Sequence, residues 1–449
     1  MINSDPGIIR AYLLSLAVYR HLLEDPVIGG LLAFLDSLHT QKDGTDGLIE
    51  SYHSFYAALA ASPAVSLKDY VIDKVLFDET PFSLRVERLG ASNIELQLKQ
   101  AFERDLMILG CCSEITIDWI RAGIFSACSL DSREKGFFES IPSWPEKDLP
   151  YRQIVEDMGY GDLLREMTAS GDWGDLRDAL IGFYEKNGSG SFARYKAFVW
   201  EPKEGTGYLK GIQAPDPIRL SDLIGYQTQR EVVLENTRQF LAGNPANNVL
   251  LYGDRGTGKS STVKALLNAF HSQGLRLIEV PKRHLLDLPA VMRQIAGRRG
   301  KFIIFIDDLA FEDNEENYTS LKAVLEGGIA TKPQNTLIYA TTNRRHLIRE
   351  TFSEREGLQS GRETDEVSAA DTMQEKLSFA DRFGITVVYT APNQTQFLEI
   401  VTAMAAQRGL KLDTDVLKQK ALQWEMRYNG RSPRTARQFI DYLEGQHGS

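Results

Sequence analysis

The chain has 449 residues, of which 43% are hydrophobic and 25% are charged, and its formal net charge is −10. The length indicates two or three globular domains, and the acidic balance argues against a protein that coats nucleic acid with its whole surface, although a local basic groove remains compatible with it. No apolar run approaches the roughly 18 residues of a membrane span, and three cysteines are too few for a disulfide framework. We therefore expect a cytoplasmic protein without membrane association.

The first 200 residues are predicted to form a mostly α-helical domain. Apolar residues recur there at helical spacing, for example over residues 94–120. This region contains no catalytic motif and no internal repeat, so we assign it to the recognition of a client or partner. A short strand around Phe198 leads into a linker at 201–217, which is rich in proline and glycine.

From residue 218 to 392 the pattern changes to alternating strands and helices, which predicts a parallel sheet with crossover helices. Five buried strands are expected, at 249–252, 275–280, 302–307, 336–341 and 385–389. The segment 349–372 interrupts the pattern with charged and small residues, and we interpret it as an insertion that is either flexible or ordered by a partner. Residues 393–449 are helical again and form the last predicted module.

A glycine-rich loop directly follows the first of these strands. Residues 253–261 read Gly-Asp-Arg-Gly-Thr-Gly-Lys-Ser-Ser, and a helical pattern begins at their end. In this order, main-chain N–H groups and the positive end of a helix dipole converge on phosphate oxygens. Lys259 would reach the β- and γ-phosphates, and the Ser260 hydroxyl would complete the coordination of Mg²⁺. The sequence therefore predicts a nucleoside triphosphate site formed by Gly253, Asp254, Arg255, Gly256, Thr257, Gly258, Lys259, Ser260 and Ser261.

Polar residues end two further strands. Asp307 and Asp308 follow the apolar run that begins at Phe302, and carboxylates at this point support Mg²⁺ and orient the water that attacks the nucleotide. Strand-end acids also serve as helix caps, so we assign this pair to Mg²⁺ and water because the glycine-rich loop precedes it in the chain. Glu312 is the alternative to Asp308 as the residue that orients water. Asn343 ends the next strand, where an amide contacts water or the γ-phosphate, although a turn asparagine gives the same pattern.

Two arginines are placed where phosphate contacts are expected. Arg382 precedes the last strand, and its guanidinium, supplied to a neighbouring subunit, would neutralise charge on the γ-phosphoryl group. An intramolecular ion pair with Asp381 or Glu375 is the alternative. Arg434 lies in the first turn of the helix that begins at Pro433, where the helix dipole disfavours a cation unless an anion is near. We therefore interpret both arginines as catalytic candidates.

The order of these parts resembles that of the AAA+ ATPases, which carry a Walker A loop, Walker B acids, a sensor-1 asparagine, an arginine finger and a helical lid with a sensor-2 arginine. The resemblance extends over residues 220–444. Asp-Leu-Ile-Gly-Tyr-Gln at 222–227 looks like the family's adenine-packing segment, which implies contacts from Ile224 and Gly225. More narrowly, the Walker A region and Ala-Thr-Thr-Asn-Arg-Arg-His-Leu at 340–347 look like a bacterial AAA+ family catalogued only as a domain of unknown function.

The resemblance implies an α/β AAA+ domain with a five-stranded parallel sheet at 218–392 and a helical lid at 393–449, after an N-terminal helical domain. ATP and Mg²⁺ are the implied cofactors, with Ser260 and Asp307 as the metal residues. A homo-oligomer is also implied, because Arg382 would act across a subunit interface. The implied catalytic residues are Lys259, Asp308, Asn343, Arg382 and Arg434.

Two positions depart from the family's pattern. Asp308 stands where most AAA+ motors carry glutamate, and the shorter side chain leads us to expect slow turnover. Residues 281–288, Pro-Lys-Arg-His-Leu-Leu-Asp-Leu, lack the aromatic-apolar-glycine pore loop of threading unfoldases. This absence argues against a protein unfoldase.

The leading hypothesis is an ATP-hydrolysing remodeller of an unidentified macromolecular client. Two alternatives stay open: a slow nucleotide-gated binding switch, and a helicase-loader-like ATPase that associates with DNA. Nucleic-acid binding has weak support, because basic clusters of this kind are usually solvated surface. The clusters in question are Arg298, Arg299 and Lys301, and Arg344, Arg345 and His346.

Overall fold

The computed structural model describes residues 5–40, 44–64, 66–127, 131–141, 155–156, 159–203, 206–309, 315–326, 333–343, 380–410, 412–427 and 430–447. The chain divides into two compact units, Met1–Arg194 and Tyr195–Ser449. Among the described helices, none is both long and apolar enough to cross a membrane. The predicted insertion at 349–372, the alternative acid Glu312 and the basic cluster at 344–346 lie outside the described residues.

The first unit is helical, as the sequence predicts. Its helices are α1 (Pro6–Leu14), α2 (Pro26–Thr40), α3 (Gly44–Ala61), α4 (Leu67–Phe77), α5 (Pro81–Leu89), α6 (Leu96–Ser113), α7 (Ile117–Ala127), α8 (Ser132–Glu139), α9 (Gly161–Ala169), α10 (Arg177–Asn187) and α11 (Ser191–Arg194). In α6, Phe102, Leu106 and Leu109 recur one turn apart and are fully buried, which is why this segment forms a helix against the core. Phe102 also stacks on Phe82 of α5, with the ring centroids 4.1 Å apart. The unit therefore has a hydrophobic core of its own.

The second unit is built on a seven-stranded sheet. Its strands are β1 (Ala197–Lys203), β2 (Thr206–Gly211), β3 (Val249–Gly253), β4 (Leu275–Glu279), β5 (Lys301–Ile306), β6 (Thr336–Thr342) and β7 (Ile385–Tyr389). The order across the sheet is β2-β1-β4-β5-β6-β3-β7. All neighbouring pairs are parallel except β1 with β2. Strands β3 to β7 are the five that the sequence predicts.

The hairpin of β1 and β2 corrects the prediction of five strands and of a linker at 201–217. In the structure β1 pairs with β4, so both strands belong to the sheet, and the division between the units falls at Arg194 rather than at residue 200. Phe198 and Trp200 are buried. The glycine content that suggested a linker has a packing role instead, because a Cβ at Gly207 would lie 2.0 Å from the Trp200 ring.

The remaining helices of the second unit connect the strands of the sheet and form the lid. Those within the sheet region are α12 (Gln227–Leu241), α13 (Lys259–Phe270), α14 (Leu288–Ile295) and α15 (Glu315–Glu326). The lid consists of α16 (Gln394–Gln407), α17 (Thr414–Arg427) and α18 (Pro433–His447). Asn393 begins the lid as the N-cap of α16, since its Oδ1 accepts a hydrogen bond from the Gln396 N–H at 2.9 Å. The lid has a separate apolar core that includes Phe397, Ala421 and Phe439.

Candidate nucleotide-binding site

The glycine-rich loop bends sharply between β3 and α13. Gly253, Gly256 and Gly258 have φ angles of 137°, 75° and 94°, which side chains with a Cβ rarely adopt. Gly253 also passes so close to the end of β7 that a Cβ would lie 2.0 Å from the Tyr389 carbonyl oxygen. Glycine is therefore required at these positions for the loop to have this shape.

The loop presents a continuous row of main-chain donors. Within the part of the chain that the structure describes, no main-chain N–H group of residues 255–261 donates a hydrogen bond. The flanking groups do donate: Asp254 N–H to the Tyr389 carbonyl at 2.8 Å, and Thr262 N–H to the Gly258 carbonyl at 2.9 Å. Such donors at a helix N-terminus, together with the helix dipole, attract anions. The loop is therefore suited to a polyphosphate.

Lys259 lies at the centre of the site and is only 6% exposed. Its ammonium donates to the carbonyl oxygens of Gly253 at 2.9 Å and Asp254 at 2.7 Å, and to Asn343 Oδ1 at 2.9 Å. Burial lowers the pKa of Lys259 to about 8, although nearby carboxylates act in the opposite direction. The cation is thus held beside the phosphate loop in a desolvated position, where its attraction for an anion is strongest.

A hydroxyl and a carboxylate lie side by side between the loop and the ends of β5 and β6. Ser260 Oγ donates to Asp307 Oδ1 at 2.6 Å. Thr341 Oγ1 donates to the same oxygen at 2.5 Å and accepts from the Asp308 N–H at 3.0 Å. Mg²⁺ is usually bound through one or two such oxygen ligands and several waters. Ser260 and Asp307 therefore fit Mg²⁺, which would supply positive charge to the phosphates.

Asp308 has an unusual backbone, with a φ of 50° in the left-handed region. Such a conformation costs of order 1–3 kcal/mol and is concentrated at functional sites. Asn343 Nδ2 donates to Asp308 Oδ1 at 2.8 Å, while its own Oδ1 binds Lys259. Asn343 therefore joins the strand-end acid to the loop lysine and holds the Asp308 carboxylate towards the cavity.

The lid closes the site from the opposite side. The Arg434 N–H donates to the Gly256 carbonyl at 3.1 Å. Ser432 Oγ accepts from the Thr435 N–H at 3.1 Å, which makes it the N-cap of α18. The open cleft between the loop and the lid has a volume of about 450 Å³. Its lining includes Ile224, Lys259, Ser260, Ser261, Asp307, Asp308, Asn343, Arg434 and Arg437.

Ile224, Tyr226 and Arg230, from the segment before α12 and its first turn, also line the cavity. Gly225 has a φ of 79°, and its carbonyl accepts a hydrogen bond from the Arg230 guanidinium. Burial lowers the pKa of Arg230. The Tyr226 ring lies against Tyr389, with centroids 5.1 Å apart. Arg230 and Thr341, which line the cavity, are among the site residues to which the sequence assigned no role: Arg230 stands in no recognisable motif, and within the segment 340–347 only Asn343 was assigned to the nucleotide site.

Arg382 is the predicted catalytic residue that does not line this cavity. It lies in the turn Ala380–Phe383, before β7, and forms an ion pair with Glu326 at the end of α15. The sequence allows an intramolecular ion pair with Asp381 or Glu375 as the alternative role of this residue; the ion pair in the structure is intramolecular, and its partner is Glu326. Of the remaining predicted residues, Arg255 to Ser261 line the cavity, whereas Gly225, Gly253 and Asp254 are not among its lining residues. The carbonyl oxygens of Gly253 and Asp254 accept hydrogen bonds from Lys259.

The sheet order, the phosphate loop and the helical lid together define a member of the AAA+ class of P-loop ATPases. The chain belongs to the DUF815 family, which is described as a protein of unknown function, and the family model matches residues 193–447. This match covers more than half of the chain.

Comparison with curated proteins and solved structures gives partial matches. The 26S proteasome regulatory subunit 4 homolog of Saccharomyces cerevisiae is 31% identical over 103 residues, which are 20% of this chain and 24% of that protein. The chain therefore matches about a quarter of that relative's length. A mutant of Thermotoga maritima RuvB has a TM-score of 0.36 at 15% identity, covering 52% of this chain and 66% of that one. The Thermotoga maritima RuvB Holliday junction branch migration motor has a TM-score of 0.32 at 13% identity, covering 51% and 72%.

Proposed function

We propose that this protein binds ATP and Mg²⁺ and hydrolyses ATP, and that turnover drives the remodelling of a macromolecular client. The observation that carries this proposal is the convergence of side chains from four elements on one cavity. Lys259 follows β3, Asp307 and Asp308 follow β5, Asn343 follows β6, and Arg434 comes from the lid. The relationship to AAA+ proteins supports the same conclusion.

Each side chain has a distinct role in the proposed reaction. The loop N–H groups and Lys259 would neutralise the β- and γ-phosphates, while Ser260 and Asp307 would hold the metal ion. Asp308, fixed by Asn343, would orient the attacking water. Arg434 would place positive charge on the phosphates when the lid is closed. Most of the rate enhancement would come from positioning and charge, as is general for phosphoryl transfer.

The position of Arg382 supports action on a neighbouring subunit. It does not line its own cavity, and its partly buried guanidinium pairs with Glu326 in the turn before β7. An arginine supplied in trans raises phosphoryl-transfer rates by about 10³-fold or more. We therefore propose a homo-oligomer as the active state.

The first test is ATP turnover by Lys259→Ala, with Lys264→Ala as the matched control. Loss of the loop lysine removes both a phosphate contact and the partner of Asn343, so turnover should fall by about 10²-fold or more. Lys264 lies on the same helix but points to Asp216, 3.7 Å away, and does not line the cavity. Its replacement should leave turnover within about twofold. Comparable rates for the two variants would contradict the proposed site.

The second test addresses the oligomer. Wild-type turnover per subunit should rise with protein concentration, and Arg382→Ala should be nearly inactive. A one-to-one mixture of Lys259→Ala and Arg382→Ala chains should regain activity, because roughly a quarter of random interfaces would combine an intact site with an intact arginine. If the rate is independent of concentration and Arg382→Ala is fully active, the trans role of this residue is wrong.

A slow nucleotide-gated binding switch is the second candidate function. It is favoured by the direct hydrogen bond from the Arg434 N–H of the lid to the Gly256 carbonyl of the phosphate loop. A nucleotide bound at this point would favour one position of the lid over another. The short Asp308 carboxylate also fits slow hydrolysis. Under this alternative, turnover stays low at every protein concentration, and partner capture depends on which nucleotide is bound.

A further inference from the structure

Asp254 joins the phosphate loop to the connection between the sheet and the lid. This connection, residues 390–392, runs from Tyr389 at the end of β7 to Asn393 at the start of α16. Asp254 Oδ2 accepts a hydrogen bond from the Ala391 N–H at 2.6 Å. The Asp254 N–H donates to the Tyr389 carbonyl at 2.8 Å. One loop residue therefore binds the connection with both its main chain and its side chain.

The carbonyl group of the same residue faces the phosphate site. It accepts hydrogen bonds from Lys259 Nζ at 2.7 Å and from Thr257 Oγ1 at 2.8 Å. The peptide plane of Asp254 is rigid and its side chain is short. A displacement of the connection that pulls on the carboxylate therefore also moves the carbonyl that positions Lys259.

The connection is stiff enough to transmit such a displacement. Pro392 is buried, and a proline restricts the preceding residue, here Ala391, to extended conformations. Tyr226 Oη donates to the Thr390 carbonyl at 2.6 Å, which fixes the residue before Ala391 as well. In the described part of the chain, the Ala391 N–H has no acceptor other than Asp254.

The loop has little freedom to move away from this contact. A Cβ at Gly253 would lie 2.0 Å from the Tyr389 carbonyl oxygen, so the loop and the end of β7 are in close contact. In the middle of the loop, the Gly256 carbonyl accepts a hydrogen bond from the Arg434 N–H. The phosphate loop is thus bound to the lid connection at its start and to the lid itself at its centre.

We propose that Asp254 is a positioning residue through which movement of the lid about residues 390–392 controls the placement of Lys259. This role rests on the proposed ATPase function and describes how that function is coupled to the lid. It is carried by the hydrogen bond to Ala391 and not by the negative charge, because an anion within a phosphate loop by itself opposes the binding of a polyphosphate.

Two substitutions separate the hydrogen bond from the charge. Asp254→Asn retains an oxygen that accepts from the Ala391 N–H but removes the charge, whereas Asp254→Ala removes both. For the full-length protein we would measure kcat and KM for ATP, the Kd of ATP in the presence of Mg²⁺, and energy transfer between dyes. The dyes are attached through unnatural amino acids at Val232 of α12 and Met426 of α17, which are 43% and 86% exposed.

Asp254→Asn should have a kcat at least about threefold higher than that of Asp254→Ala, bind ATP at least as tightly as the wild type, and retain the ATP-induced change in energy transfer. Asp254→Ala should lose about tenfold in kcat, keep its Kd within about threefold, and lose at least about half of the energy-transfer change. A merely structural role would instead lower the melting temperature and weaken ATP binding. Equal behaviour of the two variants in kcat and energy transfer would overturn the proposal.

Ala391→Pro removes the donor from the other side and provides an independent test if Asp254→Ala does not fold. It should reproduce the Asp254→Ala phenotype, and the double variant should be no worse than either single variant, because the two changes break one bond. Additive losses would overturn the proposal. If the wild type binds ATP without hydrolysing it, the ATPase proposal fails, while Kd and energy transfer still decide whether Asp254 couples the lid to the loop.

Discussion

Among the individual residues, Lys259 has the environment with the most direct chemical consequence. It is nearly fully buried, and its ammonium is shared between two loop carbonyls and Asn343. Desolvation lowers its pKa to about 8, so the free protein loses this positive charge within an accessible range of pH. Because the protonated form is the one that attracts phosphate, the binding of ATP should weaken as the pH rises.

We therefore predict that the Kd of ATP for the free protein rises between pH 7 and pH 9. With a pKa of about 8, roughly one tenth of the lysine is protonated at pH 9, so affinity should fall by up to about tenfold. Isothermal titration at constant ionic strength and saturating Mg²⁺ measures this. Lys259→Arg is the control, because a guanidinium stays charged over the whole range and its pH profile should be flat. A flat wild-type profile would show that the lysine does not titrate in this range.

The motif residues of the candidate site could be proposed from the sequence because their spacing along the chain is part of the motif. The contacts of Thr341 and Arg230 could not. Thr341 contacts Asp307 only because β6 lies next to β5 in the sheet, a neighbour relation that no local pattern encodes. The partner of Arg382 was unpredictable for the same reason, since Glu326 is distant in sequence and is brought close by the fold.

At the scale of elements, the loop between β3 and α13 depends on two glycines in different ways. Gly258 has a φ of 94°, but a Cβ added to it would have no atom within 4 Å. Gly253 has a φ of 137°, and a Cβ there would meet the Tyr389 carbonyl oxygen at 2.0 Å. The first residue needs glycine for its backbone conformation alone. The second also needs it for the close approach of β7.

We predict that Gly253→Ala is more destabilising than Gly258→Ala. Backbone strain alone should lower the free energy of unfolding by about 1–3 kcal/mol in both variants. Gly253→Ala should lose about 1–3 kcal/mol more, because relieving the overlap with the Tyr389 carbonyl requires a shift of a buried strand. Urea denaturation followed by circular dichroism gives both values. Equal losses would indicate that β3 and β7 separate easily.

The strands that could be predicted are those buried within the sheet, which appear as continuous apolar runs, such as Phe302 to Ile306 in β5. The hairpin at the edge could not, apart from the short strand around Phe198, because several of its residues face solvent. In β2, Tyr208 and Lys210 are exposed and both bond to Glu201 of β1. A linker has the same polar residues and glycines, so local composition did not distinguish an edge hairpin from a linker.

At the scale of the whole molecule, the division of the chain at Arg194 predicts which fragment folds. A fragment of residues 195–449 keeps the hairpin, whereas a fragment of 218–449 exposes the edge of β4 and removes the Trp200 side chain from its packing. Unpaired sheet edges promote association. The longer fragment should therefore remain monodisperse by size-exclusion chromatography and bind ATP, while the shorter one should aggregate or melt several degrees lower, by roughly 5 °C. Identical behaviour would show that the hairpin is dispensable.

The place of β3 in the sheet also bears on the synthesis of the protein. β3 lies between β6 and β7, and both of these strands come later in the chain. At translation rates of roughly 5–20 residues per second, about 7–27 s separate the addition of Gly253 from that of Tyr389. The apolar residues Val249, Leu250 and Leu251 have no neighbouring strand in the nascent chain until β6 has been added, and the side of β3 that pairs with β7 stays unpaired for the whole interval. The period of greatest exposure to misfolding and aggregation therefore falls late in synthesis, and it ends only when the last strand has left the ribosome.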